Sequence, residues 1–257
     1  MRRPLKLLCI LGLLLCATAP SLRAAELHVA VAANFTGTLQ KLAPLYAQAS
    51  GEQLIISAGS SGQLYTQIKQ SAPFDVFLSA DADKPQQLES EGLTVAGTRF
   101  VYAIGSLVLW SPQQGLVDAA GKILQSQRYH LISIGNPQTA PYGTAAQQVL
   151  TKLGLWDKLN QDHKIVIGEN ITQAWQFAAS GNADLAFVAL SQVLGPDGSI
   201  SGSSWLVPQS MYDPIEQAAV VLAHTERKAA AEAFLSWLRT DPAALAAIRA
   251  AGYRTAN

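Results

Sequence analysis

Val31-Ala32-Ala33-Asn34-Phe35-Thr36-Gly37 closes an apolar run and opens a helical pattern. Three other segments share that construction: Ala58-Gly59-Ser60-Ser61-Gly62, Asn136-Pro137-Gln138-Thr139-Ala140-Pro141-Tyr142-Gly143 and Glu169-Asn170-Ile171-Thr172. Each places small, hydroxyl or amide side chains at a strand-to-helix turn. The first N–H groups of a helix have no intrahelical partner, and a helix N-terminus carries about +0.5 of an elementary charge. Turns of this kind, aimed at one point, make an anion site that contains no formal cation.

Around these turns the periodicity switches back and forth between strand and helix. Strands are expected over 27–32, 53–57, 76–79, 107–110, 131–135, 164–167, 185–188 and 217–223. Helices are expected over 36–50, 62–70, 85–91, 144–153, 171–180, 226–239 and 242–251. Such βα repetition implies mostly parallel sheets covered by helices. In the first helix Leu39, Leu42, Leu45 and Tyr46 form an apolar stripe that belongs to a core. Asp241 with Pro242 reads as an N-cap followed by the first helical position, and the Gly- and Ser-rich run from Gly195 to Ser204 reads as a surface loop.

The chain has 257 residues, and its opening describes an export signal. Arg2, Arg3 and Lys6 precede an apolar stretch from Leu7 to Ala17, and Ser21-Leu22-Arg23-Ala24-Ala25 supplies small residues for cleavage, so residues 1–25 read as a removable signal peptide. Both cysteines, Cys9 and Cys16, lie within it, which leaves a mature chain of roughly 230 residues without a thiol or disulfide. The signal also removes four of 18 basic residues and none of the 18 acidic ones, for a mature balance of −4. A bound anion must then be held by local geometry rather than by a long-range field, and nucleic acid is disfavoured as a partner.

Enzymatic readings are weak. A nucleophile elbow needs Gly-x-Ser-x-Gly, whereas Gly62 follows Ser61 directly. His28, His130, His163 and His224 are scattered without metal-ligand spacing, and there is no Walker sequence. Asp75 and Asp81 flank a buried strand as turn or cap residues, and Trp110, Trp156, Trp175 and Trp237 read as packing aromatics.

The whole mature chain resembles the periplasmic molybdate-binding proteins of ABC transporters, within the type II solute-binding family. The likeness rests on Val29-Ala30-Val31-Ala32-Ala33-Asn34-Phe35-Thr36, Gly59-Ser60-Ser61-Gly62, Pro73-Phe74-Asp75-Val76-Phe77-Leu78-Ser79-Ala80-Asp81, Asn136-Pro137 with Pro141-Tyr142-Gly143, Lys152-Leu153-Gly154-Leu155-Trp156, Ala183-Asp184-Leu185-Ala186-Phe187-Val188-Ala189 and Ala233-Phe234-Leu235-Ser236-Trp237-Leu238 with Tyr253.

That resemblance implies an α/β fold of two lobes with the ligand cleft between them. Residues 26–104 and 222–257 would form the first lobe and 105–221 the second. It implies that Asn34, through amide and backbone, and Ser61 would bind molybdate from one side, and the backbone N–H groups of Tyr142 and Ile171 from the other. Ala33, Ser60 and Asn170 are further candidates. The family often places a tyrosine where this chain has Ala189, and Tyr142 or Asn170 would have to compensate. Neither a cofactor, a catalytic role nor a metal site is implied beyond the oxyanion itself. The implied partners are a permease and its ATPase subunit, and the binding protein would be a monomer.

Desolvating an unpaired oxyanion costs on the order of tens of kcal/mol, and each hydrogen bond to a charged group returns about 1.5–3 kcal/mol net. Five to seven donors are therefore a fitting number. A site built of donors also rejects a protonated oxyanion such as hydrogen phosphate, whose hydroxyl needs an acceptor, while sulfate must be excluded by cleft size in favour of molybdate or tungstate. The alternatives are a binder of another tetrahedral oxyanion such as sulfate, an iron or amino-acid binder on the same architecture, and a secreted hydrolase.

Overall fold

The computed structural model describes residues 26–126 and 128–255, so the expected signal peptide lies outside the described residues. In chain order the elements are β1 (Glu26–Ala32), a 3-10 turn (Ala33–Phe35), α1 (Thr36–Ser50), β2 (Gln53–Gly59), α2 (Ser61–Lys69), β3 (Val76–Leu78), α3 (Asp83–Ser90) and β4 (Phe100–Gly105). There follow β5 (Leu107–Ser111), α4 (Ile123–Ser126), β6 (Ile132–Gly135), α5 (Pro141–Lys152), α6 (Trp156–Gln161), β7 (Ile165–Gly168), α7 (Ile171–Ala179), β8 (Leu185–Ala189), α8 (Leu190–Val193) and β9 (Ser203–Leu206). A second 3-10 turn, β10 (Ile215–Val221), α9 (Lys228–Thr240) and α10 (Pro242–Ala250) complete the chain.

These strands form two five-stranded sheets, ordered β2-β1-β3-β10-β4 and β7-β6-β8-β5-β9. β1 pairs in parallel with β2 and β3, and β6 with β7 and β8, while β10 and β5 are antiparallel to both of their neighbours. Four strands of each sheet thus run one way and a single strand is reversed. This is the expected two-lobed α/β arrangement, but the sheets are mixed rather than mostly parallel, with two parallel and two antiparallel pairings in each.

The reversed strands are the ones that follow each crossing between the sheets. Only Ser106 separates β4 in the first sheet from β5 in the second. The expected lobe boundary at residue 221 falls after β10, yet β10 pairs with β3 and β4 in the first sheet. The return crossing accordingly lies between β9 and β10. The apolar run of β10 carries no sign of which sheet it joins, because a strand covered on both faces reads the same in either.

Val29 to Ala32, Val76 to Leu78 and Ala218 to Leu222 are all 0% exposed, as helices cover both faces of the first sheet. One apolar cluster contains Phe35, Leu39, Leu42, Tyr46, Phe234 and Leu238, which confirms the stripe on α1 except at Leu45, which is 38% exposed. A second cluster joins Leu107, Ile132, Val149, Leu185 and Phe187 in the other lobe. It also includes Ala32, Ala33 and Ala80 from the first lobe, so small residues form the seam where the two bodies meet.

Candidate functional site

Accounting for the first-turn N–H groups of three helices locates the site. At α2, Ser60 is the N-cap: its Oγ accepts from Gln63 N–H at 3.4 Å, and Gln63 Oε1 accepts from Ser60 N–H at 3.2 Å and from Ser60 Oγ at 2.9 Å. Leu64 N–H donates to Ser60 O, and Gly62 N–H crosses to Thr139 O at 2.9 Å. The Ser61 N–H is left over. Ser61 Oγ accepts from Ala80 N–H at 2.9 Å, which leaves its own proton to donate.

At α7 the cap is Asn170, whose Oδ1 accepts from Thr172 N–H at 2.9 Å and Gln173 N–H at 3.1 Å. Ala174 N–H donates to Asn170 O, and the Ile171 N–H is left over. At α5 no side chain caps the helix. Gly143 and Thr144 N–H both donate to Ala140 O, Pro141 has no N–H, and the Tyr142 N–H is left over. Pro141 starts α5 three residues before the expected position 144, which is what brings Tyr142 into the first turn.

Ser61, Tyr142 and Ile171 line one small cavity, together with Ala33, Asn34, Ser60 and Asn170. All seven residues singled out in the sequence are therefore brought together, though not in equal roles. The hydroxyl of Ser60 and the side-chain amide oxygen of Asn170 are consumed as helix caps. None of the residues lining the cavity is charged. Among the described residues the ion pairs lie elsewhere, and no cluster of three His, Cys, Asp or Glu side chains could hold a metal.

Asn34 departs from the expectation for its side chain. Its Nδ2 donates to Gln217 Oε1 at 2.8 Å and to Tyr253 OH at 3.0 Å, so the amide points into the lobe and only the backbone N–H remains for the cavity. Gln217 Oε1 also accepts from Tyr102 OH at 3.2 Å, and Gln217 Nε2 donates to Tyr142 OH at 3.4 Å. Tyr142 therefore has two parts: its backbone N–H is unspent in the first turn of α5, and its hydroxyl meets Gln217 of β10 and Gly105 of β4. A Cβ on Gly105 would sit 2.0 Å from the Tyr142 hydroxyl, so glycine is required for that close approach. The Tyr142 hydroxyl accepts from Gln217 at that contact, and its own proton is given to no acceptor among the described residues.

Burial raises the Tyr102 and Tyr142 hydroxyls well above the ordinary tyrosine value and pushes Tyr253 up to about 12, so this network stays neutral at physiological pH. Asp75 and Asp81 serve as structural acceptors, as expected. Asp75 Oδ2 accepts from His28 N–H at 2.8 Å, and Asp81 Oδ1 from Lys84 N–H at 2.7 Å. Burial raises the Asp81 carboxyl.

The two approaches to the cavity differ in charge. One cleft shares Ala80, Ala140 and Pro141 with it and carries Asp81, Asp83, Asp213 and Glu216 against Lys84. The other shares Ala33, Asn34 and Asn170 and is walled by neutral Gln40, Gln173, Gln176, Gln192 and Trp175. Sequence reasoning missed Gln217, Ser191 and Gln192, because a lone polar residue in an apolar or loop-like run does not announce its partner.

An uncharged cavity between two α/β bodies, ringed by unspent N–H groups, defines a solute-binding protein. The chain belongs to the family of bacterial extracellular solute-binding proteins, which it matches over residues 27–254. It is 48% identical over 242 residues to the molybdate-binding protein ModA of Azotobacter vinelandii, covering 94% of this chain and 93% of that protein. It is also 48% identical over 232 residues to ModA of Rhodobacter capsulatus, covering 90% and 89%. The solved structure of the Azotobacter vinelandii periplasmic molybdate-binding protein superposes with a TM-score of 0.89 at 49% identity, over 90% of this chain and all of that one.

Proposed function

We propose that this chain is the periplasmic, non-catalytic binding subunit of an ABC importer that captures molybdate, and tungstate with it, for delivery to a membrane permease and its ATPase. The carrying observation is the convergence of unspent neutral donors on an uncharged cavity. The backbone N–H groups of Asn34, Ser61, Tyr142 and Ile171 and the Ser61 hydroxyl supply five hydrogen bonds, two bodies contributing to the set. Three of these N–H groups belong to the first turns of α2, α5 and α7, whose partial positive charges add to the field at one point. The relatives that share half of this chain's residues carry molybdate in their names, which supports the same ligand here.

In this reading an oxyanion enters an open cleft, the bodies close, and water around the anion is replaced by fixed dipoles. Donors alone select a fully ionised ligand, and cavity size selects among tetrahedral dianions. Calorimetry on the mature chain tests it, with molybdate, tungstate, sulfate and phosphate titrated separately. Tight binding of the first two, weak binding of sulfate and none of phosphate are expected. Absence of heat with molybdate rejects the assignment.

A further inference from the structure

The carbonyls of Ala33 and Asn34 are held by hydroxyls that reach across from the opposite body. Thr172 Oγ1 on α7 donates to Ala33 O at 3.3 Å, and Ser191 Oγ on α8 donates to Asn34 O at 3.1 Å. Tyr253 OH, from the first body, also donates to Asn34 O at 2.8 Å and lies 2.8 Å from Ser191 Oγ. Gln192 Nε2 donates to Thr172 Oγ1 at 3.3 Å, while Gln192 Oε1 accepts from Ala189 N–H at 3.0 Å. Because the Thr172 oxygen already accepts from Gln192, its single proton is directed to Ala33.

From this arrangement we infer that Thr172 is a positioning residue for oxyanion capture, acting through the peptide between Ala33 and Asn34. A trans peptide puts its C=O and N–H on opposite sides. A hydroxyl bound to the Ala33 carbonyl therefore fixes that plane with the Asn34 N–H turned the other way, toward the cavity. It also polarises the N–H, since hydrogen bonds in a chain strengthen one another in a low-dielectric interior. Two consecutive residues of α7 divide the work: Ile171 offers its N–H to the ligand, and Thr172 grips the opposing body. The bond spans the cleft, so it exists only when the bodies are together and contributes to holding the ligand rather than to the fold of either body.

This inference rests on the cavity holding an oxyanion, and the test separates the two. Thr172→Val keeps the shape and removes the hydroxyl. Stopped-flow tryptophan fluorescence with molybdate should show about tenfold weaker binding, carried by faster dissociation with little change in association. The ligand-free melting temperature should fall by no more than about 2 °C, the effect of losing the part-buried bond from Gln192 within the same body, and by less than a matching loss of fold stability would produce. Thr172→Ser, which restores the hydroxyl, should return dissociation to within about threefold of the parent rate. Ser191→Ala gives a second, smaller effect in the same direction. If the parent protein binds molybdate and Thr172→Val releases it at the parent rate, the positioning role is wrong. An affinity loss matched by a fall in the ligand-free melting temperature, or unrescued by serine, also overturns it. If the parent binds no molybdate, both readings fall.

Discussion

Asn34 and Gln217, 183 residues apart in sequence, are joined by a 2.8 Å hydrogen bond that turns the Asn34 amide away from the cavity. The bond ties the 3-10 turn at the cleft to β10, the strand that follows the return crossing. Gln217 is 0% exposed and is the common partner of Asn34, Tyr102 and Tyr142. Gln217→Met, similar in size, would leave those buried groups underpaired at a cost of about 1–3 kcal/mol. For a chain of this length that is a fall of roughly 2–12 °C in melting temperature. Calorimetric melting of the ligand-free protein measures it, and an unchanged midpoint would mean that the network is slack.

Ser60 and Ser61 are neighbours with opposite commitments, and alanine substitutions should separate them. Ser61→Ala removes a charge-assisted hydrogen bond worth about 1.5–3 kcal/mol, so molybdate affinity should fall by one to two powers of ten. Ser60→Ala removes a helix cap, which costs about 1 kcal/mol of stability. Its effect should appear in the melting temperature far more than in the dissociation constant. Titration calorimetry and thermal melting of both variants decide whether the assignments hold or must be exchanged.

The same residues show what could be read from sequence alone. The caps at Ser60, Asn170 and Asp241 are local chemistry, written within three residues of the groups they satisfy, and α1, α2, α7 and α10 begin within about one residue of the expected places. The strand-to-helix turns were legible for the same reason. What stayed hidden depends on distant partners. The direction of the Asn34 amide is settled by Gln217 and Tyr253, and no local pattern encodes it. β4 and β5 form one apolar stretch from Phe100 to Ser111, interrupted only at Ser106, yet its halves belong to different sheets. Neither this change of sheet nor the return crossing before β10 has a turn signature, so the sequence pattern does not separate β4 from β5 or show which lobe β10 joins.

Ligand binding should stabilise the protein by mass action. At a molybdate concentration of about 100 times Kd the gain is about 2.7 kcal/mol, and at 2–4 °C per kcal/mol the midpoint should rise by roughly 5–11 °C. Tungstate should act alike, sulfate less, and phosphate hardly at all. Scanning calorimetry across a concentration series should show the logarithmic dependence. A shift of equal size with phosphate would contradict a site made of donors.

Alkaline pH should act through the buried tyrosines. Tyr102, Tyr142 and Tyr253 are protonated in the fold above the value of 10.0 at which an unconstrained tyrosine ionises, Tyr253 to about 12. The unfolded chain therefore loses these protons first. The stability contributed by keeping them is full below pH 10 and is lost as pH rises from 10 toward 12. Melting temperature should decline over that window. In a Tyr65→Phe background, which removes the surface hydroxyl bonded to Glu91, absorbance of the tyrosinate form should rise together with unfolding rather than before it. Tyrosinate formation by that variant at pH 10 while fully folded would show these hydroxyls to be open to solvent.

Gly62 offers a test of closure that leaves each body intact. It lies in the first turn of α2, and its N–H donates across the cleft to Thr139 O at 2.9 Å. An added Cβ would stand 3.0 Å from Thr139 Cα and 3.2 Å from Thr139 O, both backbone atoms of the opposite body. Gly62→Ala should then keep the bodies from reaching their closest approach. In the helix itself alanine is favoured over glycine by up to about 1 kcal/mol, so the ligand-free protein should be as stable as the parent or slightly more so. Molybdate affinity should drop at least tenfold, a loss of about 1.4 kcal/mol, since donors on α2 and those on α5 and α7 can no longer share one anion. Small-angle scattering with saturating ligand should show a larger radius of gyration for the variant than for the parent. Equal affinity and equal radius would mean that the bodies do not need this contact to enclose the ligand.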